Sequence, residues 1–414
     1  MVTLGLQRAF ARRGVVVAGA KCGPDYIDPA FHAAATGRPS VNLDGFAFDP
    51  PALAGLAAAA ARGAGLIVGE GAMGLYDGLT TPGQTASTAA VARATGWPVL
   101  LVLDAAGAAQ TVAAVAHGLA HLSGAPRIAG AIVNRVGSPR HRRMIEAGFA
   151  GADVPLLGMI PSDDRMTLPS RHLGLVQAGE TADLDERLEG FAAVVAGHCD
   201  LDAIRAAAWP TGDVPAPGIT IRPPGQRIAL AHDAAFAFVY PHLVDGWRRA
   251  GAEIVAFSPL ADEAPPADCD ACWLPGGYPE LHAPRLASGA RFLLGLRRFA
   301  GRAPIHGECG GYMVLGRSLT DAEGTAHAMA GLLPADFSFA RRKLHLGYRR
   351  VRWRRPVPFA GAGEEARGHE YHHCTVTELA PADLADITDG DGNPLLPAGH
   401  GVGRVTGSFF HVIA

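Results

Sequence analysis

Residues 303–316 read APIHGECGGYMVLG, a short apolar run that ends at a cysteine and continues into a helix-like apolar segment. Residues 307–311 have the pattern G-x-C-x-G, which is typical of a nucleophile on a sharp turn between a strand and a helix. Such a strained turn needs small neighbours. The N–H groups at the start of the helix can lower a thiol pKa and hold an oxyanion. The segment predicts an α/β fold and makes Cys309 a candidate nucleophile rather than a structural thiol.

A thiolate nucleophile needs a base, and the chain offers 17 histidines. His411, in GSFFHV at the end of the last strand-like run, is the favoured candidate. His306 lies close to Cys309 in sequence, although strand alternation suits a packing role equally well. The cluster GHEYHHC at residues 368–374 is the main rival.

The composition predicts a globular protein with two or three domains, because 49% of its 414 residues are hydrophobic and 18% are charged. A net charge of −3 gives no reason to expect nucleic acid or an anionic membrane as a partner. The sequence has no apolar run long enough to span a bilayer and no signal-peptide pattern at its start. Six cysteines do not indicate a disulfide framework, so we expect a cytoplasmic protein.

Apolar strand-like runs alternate with Ala-rich helix-like runs in the first half, which predicts a parallel sheet covered on both faces. The predicted strands are 15–20, 66–70, 98–104, 128–134 and 156–160, with helices at 51–62 and 85–95. Lys21, Glu70, Asp104 and Asn134 lie at the C-terminal ends of these strands. Ligands of open α/β sheets bind at that edge.

The Pro- and Gly-rich stretch 209–226 reads as a linker. The alternating pattern then restarts, and β-like runs dominate after residue 336. The predicted strands are 227–232, 253–257, 271–275 and 304–306, followed by 348–353, 369–377 and 402–412. We therefore predict domains at 1–208 and 227–414.

Two segments, KCGPDYIDPAFH (21–32) and GEGAMGLYDG (69–78), are predicted to be glycine-bearing loops that place ionisable groups at the C-terminal ends of strands. Lys21 could contact phosphate. Asp25, Asp28 and Glu70 could hold Mg²⁺ or a polar substrate. Any one of these acids alone is more typical of a solvated loop, but the set together favours a site.

Five motifs of the second half resemble the C-terminal domain of cobyrinic acid-type glutamine amidotransferases. They are PGGYPE (275–280), GECGGYM (307–313), LGYRRV (346–351), GHEYHH (368–373) and SFFH (408–411). The resemblance implies a class I glutamine amidotransferase α/β domain. In it Cys309 is the nucleophile, His411 is its base, and Gly277 and Gly310 supply oxyanion N–H groups. Many members place a glutamate two residues after the histidine, where this chain has Ile413. We therefore expect a Cys–His dyad whose imidazole is oriented by a group that the sequence does not identify.

The first half resembles the ATP-dependent synthetase half of cobyrinic or hydrogenobyrinic acid a,c-diamide synthases. The segments that carry the resemblance are 23–44, 69–78 and MIPSDDRMTLPSRHLGLVQA at 159–178. The resemblance implies that ATP activates a corrin carboxylate as an acyl phosphate and that ammonia released at Cys309 converts it to an amide, at side chains a and c. The expected partners are ATP with Mg²⁺, glutamine and a corrinoid tetracarboxylate, and a homodimer is left open.

The same resemblance assigns roles to residues of the first half. Lys21, Asp25, Glu70 and Asn134 are expected to bind ATP and Mg²⁺, with Glu70 and Asp25 as the Mg²⁺ ligands and Asn134 near the adenine. Tyr26, Asp28 and His32 are expected to face the corrin or the phosphates.

The chain departs from this family pattern at its start. The family opens with a strand and a phosphate-binding G-x-x-x-x-G-K-[ST] loop, which this sequence does not contain. MVTLGLQRAFARRG at 1–14 reads as the helix that follows such a loop. The expected fold is therefore a P-loop-like, doubly wound parallel sheet truncated at its start.

The sequence also leaves alternative functions open. The chain could amidate another tetrapyrrole, such as nickel-sirohydrochlorin, or bind a corrin without ATPase activity. A cysteine hydrolase unrelated to glutamine is a weaker alternative, because it leaves the motifs of the first half unexplained. Cys269-x-x-Cys272 could belong to a zinc site, but the second ligand pair that such a site needs is missing.

Overall fold

The computed structural model describes residues 1–79, 86–171, 174–215, 218 and 221–414, and its chain forms two compact units, Met1–Pro217 and Gly218–Ala414. Residue 85 of the predicted helix 85–95, residues 172–173 of the third family-like segment and four residues of the predicted linker (216, 217, 219 and 220) lie outside the described residues. The linker and domain boundaries drawn from composition stay predictions.

The first unit alternates strands and helices along the chain. Its strands are β1 (Val17–Cys22), β2 (Val41–Leu43), β3 (Leu66–Glu70), β4 (Val99–Asp104), β5 (Ile128–Val136), β6 (Leu156–Pro161), β7 (Ser170–Arg171) and β8 (Gly174–Leu175). Its helices are α1 (Val2–Arg12), α2 (Ile27–Thr36), α3 (Pro50–Ala61), α4 (Thr88–Thr95), α5 (Thr111–His121), α6 (Pro139–Phe149), α7 (Leu184–His198) and α8 (Leu201–Ala206).

Local signals explain several of these helix starts. The side chains of Asp49, Ser87 and Ser138 accept hydrogen bonds from backbone N–H groups three residues ahead, at the starts of α3, α4 and α6. Such caps satisfy N–H groups that have no partner inside the helix. Near the start of α1, Gly5 allows the helix to approach α7 closely, since a Cβ at this position would lie 2.8 Å from the carbonyl oxygen of Phe191.

The main strands of the first unit are all parallel and form two separate three-stranded sheets, ordered β2-β1-β3 and β4-β5-β6. The sequence predicted a parallel sheet truncated at its start. Within the described residues, β3 and β4 are each an edge strand, so the ladder is interrupted between them. The C-terminal ends of β1 and β3 lie side by side, with Lys21 paired to Glu70 in register.

The second unit carries a parallel core and a more irregular β region. Its strands are β9 (Arg227–Ala231), β10 (Glu253–Phe257), β11 (Ala271–Leu274), β12 (Ile305–Glu308), β13 (Ser318–Thr320), β14 (Ala326–Ala328), β15 (Ala335–Ser338), β16 (His345–Trp353), β17 (Glu365–His372), β18 (Thr375–Glu378), β19 (Ala385–Asp389), β20 (His400–Val402), β21 (Val405–Ser408) and β22 (His411–Val412). Its helices are α9 (Pro241–Arg249), α10 (Ala283–Ser288), α11 (Ala290–Ala300) and α12 (Gly310–Leu315).

A six-stranded sheet ordered β10-β9-β11-β12-β21-β20 forms the centre of this unit. Its pairs are parallel except β20 with β21. Two four-stranded sheets, β14-β13-β15-β18 and β19-β16-β17-β22, account for the β-rich character predicted after residue 336. The strand β12 lies inside the central sheet and delivers Cys309 to its C-terminal edge.

Several predicted strands and helices match the structure, but the predicted strand runs 369–377 and 402–412 are each divided among shorter strands, and one further segment differs in type. The predicted strands 66–70 and 253–257 match β3 and β10, and the helix predicted over 1–14 is α1. The segment 21–32 was interpreted as a loop, but α2 begins at Ile27, so Asp28 and His32 lie on a helix. No helix among the described residues combines the length and apolar character needed to cross a membrane.

Candidate functional site

Cys309 lies at the turn between β12 and α12 with a backbone φ of 46° and ψ of −103°. A positive φ is strained for a residue with a side chain, and this strain is typical of a nucleophile elbow. The turn is held on both sides, since the Cys309 N–H donates to Ser408 O at 2.8 Å and the Cys309 carbonyl accepts from the Met313 N–H at 3.0 Å. The elbow predicted from G-x-C-x-G is therefore present.

The glycines around the cysteine allow a close backbone approach. A Cβ at Gly311 would collide with the carbonyl of Leu274, and a Cβ at Gly277 would collide with the carbonyl of Ala235. A Cβ at Gly310 would lie 3.1 Å from the backbone nitrogen of Gly277. The N–H-bearing segments at Gly277 and Gly310 are thus neighbours beside the elbow.

His411 lies on β22 and is buried. Its ring stacks on His369 of the paired strand β17, with centroids 4.9 Å apart. A Cβ at Gly276 would collide with the His411 ring, so this glycine leaves the space in which the imidazole lies. Burial lowers the pKa of His411 well below its usual value, which favours the neutral ring that can accept a proton.

The Cys309 thiol is buried, at 3% exposure, and lies 3.9 Å from the Tyr371 carbonyl oxygen. Burial raises the pKa of this thiol, and the negative charge of Glu280 raises it further. Cys309 is therefore a neutral thiol at rest. A base must remove its proton when it attacks.

Glu308 is the residue of this site that the sequence did not predict. Its side chain is 2% exposed, and its Oε2 lies 4.0 Å from His411 Nδ1. Its Oε1 accepts the Val412 N–H at 2.8 Å. Burial raises the pKa of Glu308 to about 8. The available signal was a carboxylate inside an apolar strand, directly before the cysteine.

The rival histidines have packing partners. His306 lies between Trp273 and Phe359, with ring centroids 4.9 and 5.0 Å away, and its Nδ1 lies 2.8 Å from Thr406 Oγ1. His372 stacks on Phe409 at 3.7 Å.

The CxxC cysteines lie in a different environment from a metal site. Cys269 and Cys272 are both part of the hydrophobic core of the second unit, and both thiols are free. Both cysteines are therefore surrounded by core residues, and they precede the PGGYPE turn in the chain.

A second polar cluster lies at the C-terminal ends of β1 and β3. The Lys21 ammonium forms a close ion pair with Asp28, and its Nζ lies 3.6 Å from Glu70 Oε1. His32 Nε2 lies 2.7 Å from Glu70 Oε2, and His32 Nδ1 lies 3.1 Å from Ser40 Oγ. Lys21, Asp28, Glu70 and His32 are thus brought together by two strands and the first turns of α2.

Opposite charges favour the ionised forms of Lys21 and Glu70. Burial alone would lower the pKa of Lys21, but Glu70 and Asp28 raise it above its usual value. Burial alone would raise the pKa of Glu70, but the hydrogen bond from His32 and the charge of Lys21 lower it to about 2. For Asp25, burial and the charge of Asp28 raise the pKa.

The remaining predicted residues lie around this cluster or apart from it. Asp25 Oδ1 accepts the N–H groups of Ile27 and Asp28 at 2.7 and 3.0 Å, which begins α2. Tyr26 directly precedes that helix and is half-buried. Asn134 lies on β5 in the other sheet of the unit, paired in register with Asp104, and the structure does not bring it into the Lys21 cluster.

Family models match both units of the chain. The model of the CobQ/CobB/MinD/ParA nucleotide binding domain matches residues 1–176. The model of the CobB/CobQ-like glutamine amidotransferase domain matches residues 227–414.

Curated relatives are similar over the full length of the chain. A hydrogenobyrinate a,c-diamide synthase of Rhodobacter capsulatus is 54% identical over 415 residues, which cover 100% of this chain and 95% of the relative. Proteins of the same name from Mesorhizobium japonicum and Agrobacterium fabrum are 52% and 50% identical, each again over 100% of this chain and 95% of the relative.

Proposed function

This chain belongs to the hydrogenobyrinate a,c-diamide synthase family, and from this premise we propose that it converts two carboxylates of hydrogenobyrinate to amides with ammonia taken from glutamine. The observation that carries the proposal is the identity of 54% with a named synthase over the whole of this chain. The elbow geometry at Cys309 and the charged cluster at Lys21 supply the two kinds of site that such a reaction needs.

The C-terminal unit is proposed to hydrolyse glutamine. His411 takes the thiol proton of Cys309, and the thiolate sulfur bonds to the amide carbon of glutamine. The carbon–nitrogen bond then breaks, the proton passes from His411 to the leaving nitrogen, and ammonia departs. Water hydrolyses the thioester to glutamate and restores the thiol. The adjacent N–H groups of Gly277 and Gly310 are proposed to stabilise the oxyanion of each tetrahedral intermediate.

The N-terminal unit is proposed to bind ATP and the corrinoid. Lys21 is a buried cation at the C-terminal edge of the sheet, suited to contact a phosphate group. Tyr26, Asp28 and His32 line the same edge and are proposed to face the corrin or the phosphates. Asn134 is proposed to meet the adenine from the neighbouring sheet.

The residues of this cluster fit Mg²⁺ in their donor chemistry. Asp25, Asp28 and Glu70 surround a single ammonium, so carboxylate oxygens are in excess, and Mg²⁺ prefers such ligands. Glu70 and Asp25 are the proposed ligands. Bound with ATP, the ion would neutralise phosphate charge and favour acyl phosphate formation.

The proposal is tested with glutamine labelled with ¹⁵N in its amide group, incubated with the chain, ATP, Mg²⁺ and hydrogenobyrinate. We expect mass spectrometry to show two labelled amide nitrogens in the corrinoid. Nickel-sirohydrochlorin, offered in equal amount in the same mixture, should remain unlabelled. Label in that compound instead would assign a different substrate, and label in neither compound would refute the proposed ligase.

A further inference from the structure

The geometry points to Glu308 as the residue that positions the imidazole of His411 for its role as base, an inference that rests on the glutaminase function proposed above. The inference identifies the group that orients the His411 imidazole in a chain that has Ile413 where many members of the family have a glutamate. In this chain the carboxylate comes from the residue immediately before the nucleophile instead of from the strand of the histidine.

Glu308 directly precedes Cys309 in the chain, and its side chain lies against the strand that carries His411. Its Oε1 is bonded to the N–H of Val412, the residue directly after His411. Its Oε2 is directed to Nδ1 of the His411 ring at 4.0 Å. The Glu308 carboxylate thus lies next to both the backbone of β22 and the His411 ring that this strand carries.

The distance of 4.0 Å is longer than the 2.7–3.2 Å or so of a normal N–H···O bond. Catalytic hydrogen bonds are often long in the absence of substrate and shorten when charge develops. The pairing of β12 with β21 holds Glu308 opposite Ser408, three residues before His411 in the chain. Closing the remaining gap therefore falls to the side chains of Glu308 and His411.

A carboxylate on this side of the ring suits the chemistry. A hydrogen bond from Nδ1–H to Glu308 leaves the lone pair on Nε2, the nitrogen that must accept the Cys309 proton. When the proton arrives, the positive imidazolium favours the ionised form of Glu308 that burial alone disfavours, so the two charges offset one another in the buried pocket. The neighbouring His369 is not placed to accept a hydrogen bond from Nδ1–H of His411, because its ring is stacked on the face of the His411 ring.

A purely structural role would not need a glutamate. The bond to the Val412 N–H uses only one oxygen, and a glutamine side chain could accept it equally well. Burying a carboxyl group without a partner for its second oxygen is costly. His411 Nδ1 is the group that the structure places in reach of that oxygen.

The test compares the full chain with Glu308→Gln and Glu308→Asp in a glutaminase assay that measures released glutamate. Glu308→Gln keeps the size of the side chain and the acceptor for Val412 but cannot compensate the imidazolium. We expect its kcat to fall about 10- to 100-fold, as is typical when an outer-shell partner is lost, with KM within about twofold of wild type. Glu308→Asp keeps the charge at a longer distance and should recover part of this loss.

Two further measurements separate positioning from structure. The ring ¹⁵N resonances of His411, assigned by their loss in His411→Gln, should shift in Glu308→Gln because the balance of imidazole tautomers changes. Glu253→Gln, on the exposed ion pair with Arg227 in the same unit, is the control and should leave kcat and the ¹⁵N resonances unchanged.

Wild-type kcat in Glu308→Gln would overturn the inference. If that variant does not fold, Glu308→Asp decides: unchanged kcat and unchanged His411 resonances would overturn the inference, and a reduced kcat at constant KM would support it. A wild-type chain that releases no glutamate would refute the proposed function, and with it this inference.

Discussion

Burial disfavours charge both at the elbow around Cys309 and at the cluster around Lys21, yet the ionisable groups of the two sites end in different states. At the elbow it raises the pKa values of Cys309 and Glu308 and lowers that of His411, so each group alone favours its neutral form. At the cluster, ion pairs outweigh burial and hold Lys21 and Glu70 in their charged forms.

The difference lies in how the charges are arranged. Lys21 already has Asp28 and Glu70 as counter-ions, whereas the groups at the elbow become charged only when a proton moves from sulfur to nitrogen. A site that binds a charged ligand benefits from permanent charges. A site that transfers a proton benefits from groups that are neutral at rest and close together. The following predictions test this contrast in order of decreasing effect.

The largest effect is expected from Cys309→Ala, which removes the nucleophile. Glutamine-dependent amidation should fall by at least about 10³-fold, as for other residues that form covalent intermediates. The rate of glutamate release is the measurement. Amidation supplied with an ammonium salt should persist, because the Lys21 cluster is in the other unit. Loss of both reactions would contradict the division of labour between the two sites.

Lys21→Met should destabilise the first unit by about 1–3 kcal/mol, because it leaves the half-buried carboxylates of Asp28 and Glu70 without their cation. The measurement is the free energy of urea unfolding. Arg13→Met is the matched control, since its pair with Asp202 is exposed and should contribute less than about 1 kcal/mol. Equal effects of the two substitutions would show that the cluster does not depend on permanent charge.

The pH dependence of stability reports on the same cluster. The pKa of Glu70 is about 2 in the folded chain and has a reference value of 4.5, so its ion pairs stabilise the fold fully above pH 5 or so and are lost as the pH falls toward 2. Full loss corresponds to about 2–3 kcal/mol. The difference in unfolding free energy between wild type and Glu70→Gln should therefore be largest at pH 7, shrink below about pH 5 and reach its low-pH limit only below about pH 2. A difference that does not change with pH would contradict the lowered pKa of Glu70.

Local signals in the sequence were sufficient for most of the architecture. Continuous apolar runs identified the parallel strands, and G-x-C-x-G identified the elbow, because both are patterns of neighbouring residues in the sequence. The family and the glutamine-dependent ligase function implied by the motifs are confirmed by full-length relatives. The start of α2 was missed although Asp25 is a helix-capping residue type, because the glycine and proline around it favoured a loop.

Other features depend on contacts between distant segments. Glu308 meets β22 only after β12 and β21 have paired, so spacing along the chain could not assign it to His411. The separation of the first unit into two sheets likewise depends on which strands become neighbours. Periodicity indicates that strands exist, but it does not give their order.

Gly276→Ala should have the smallest effect on the elbow, because it adds one methyl group against the His411 ring without removing a reacting group. We expect the imidazole to move by a fraction of an ångström and kcat for glutamate release to fall about 10-fold. Gly246→Ala, within α9 of the same unit, has open space around the new methyl group and should leave kcat unchanged. Full activity in Gly276→Ala would show that the position of the His411 ring is not critical. It would then weaken the contrast between an elbow that depends on geometry and a cluster that depends on charge.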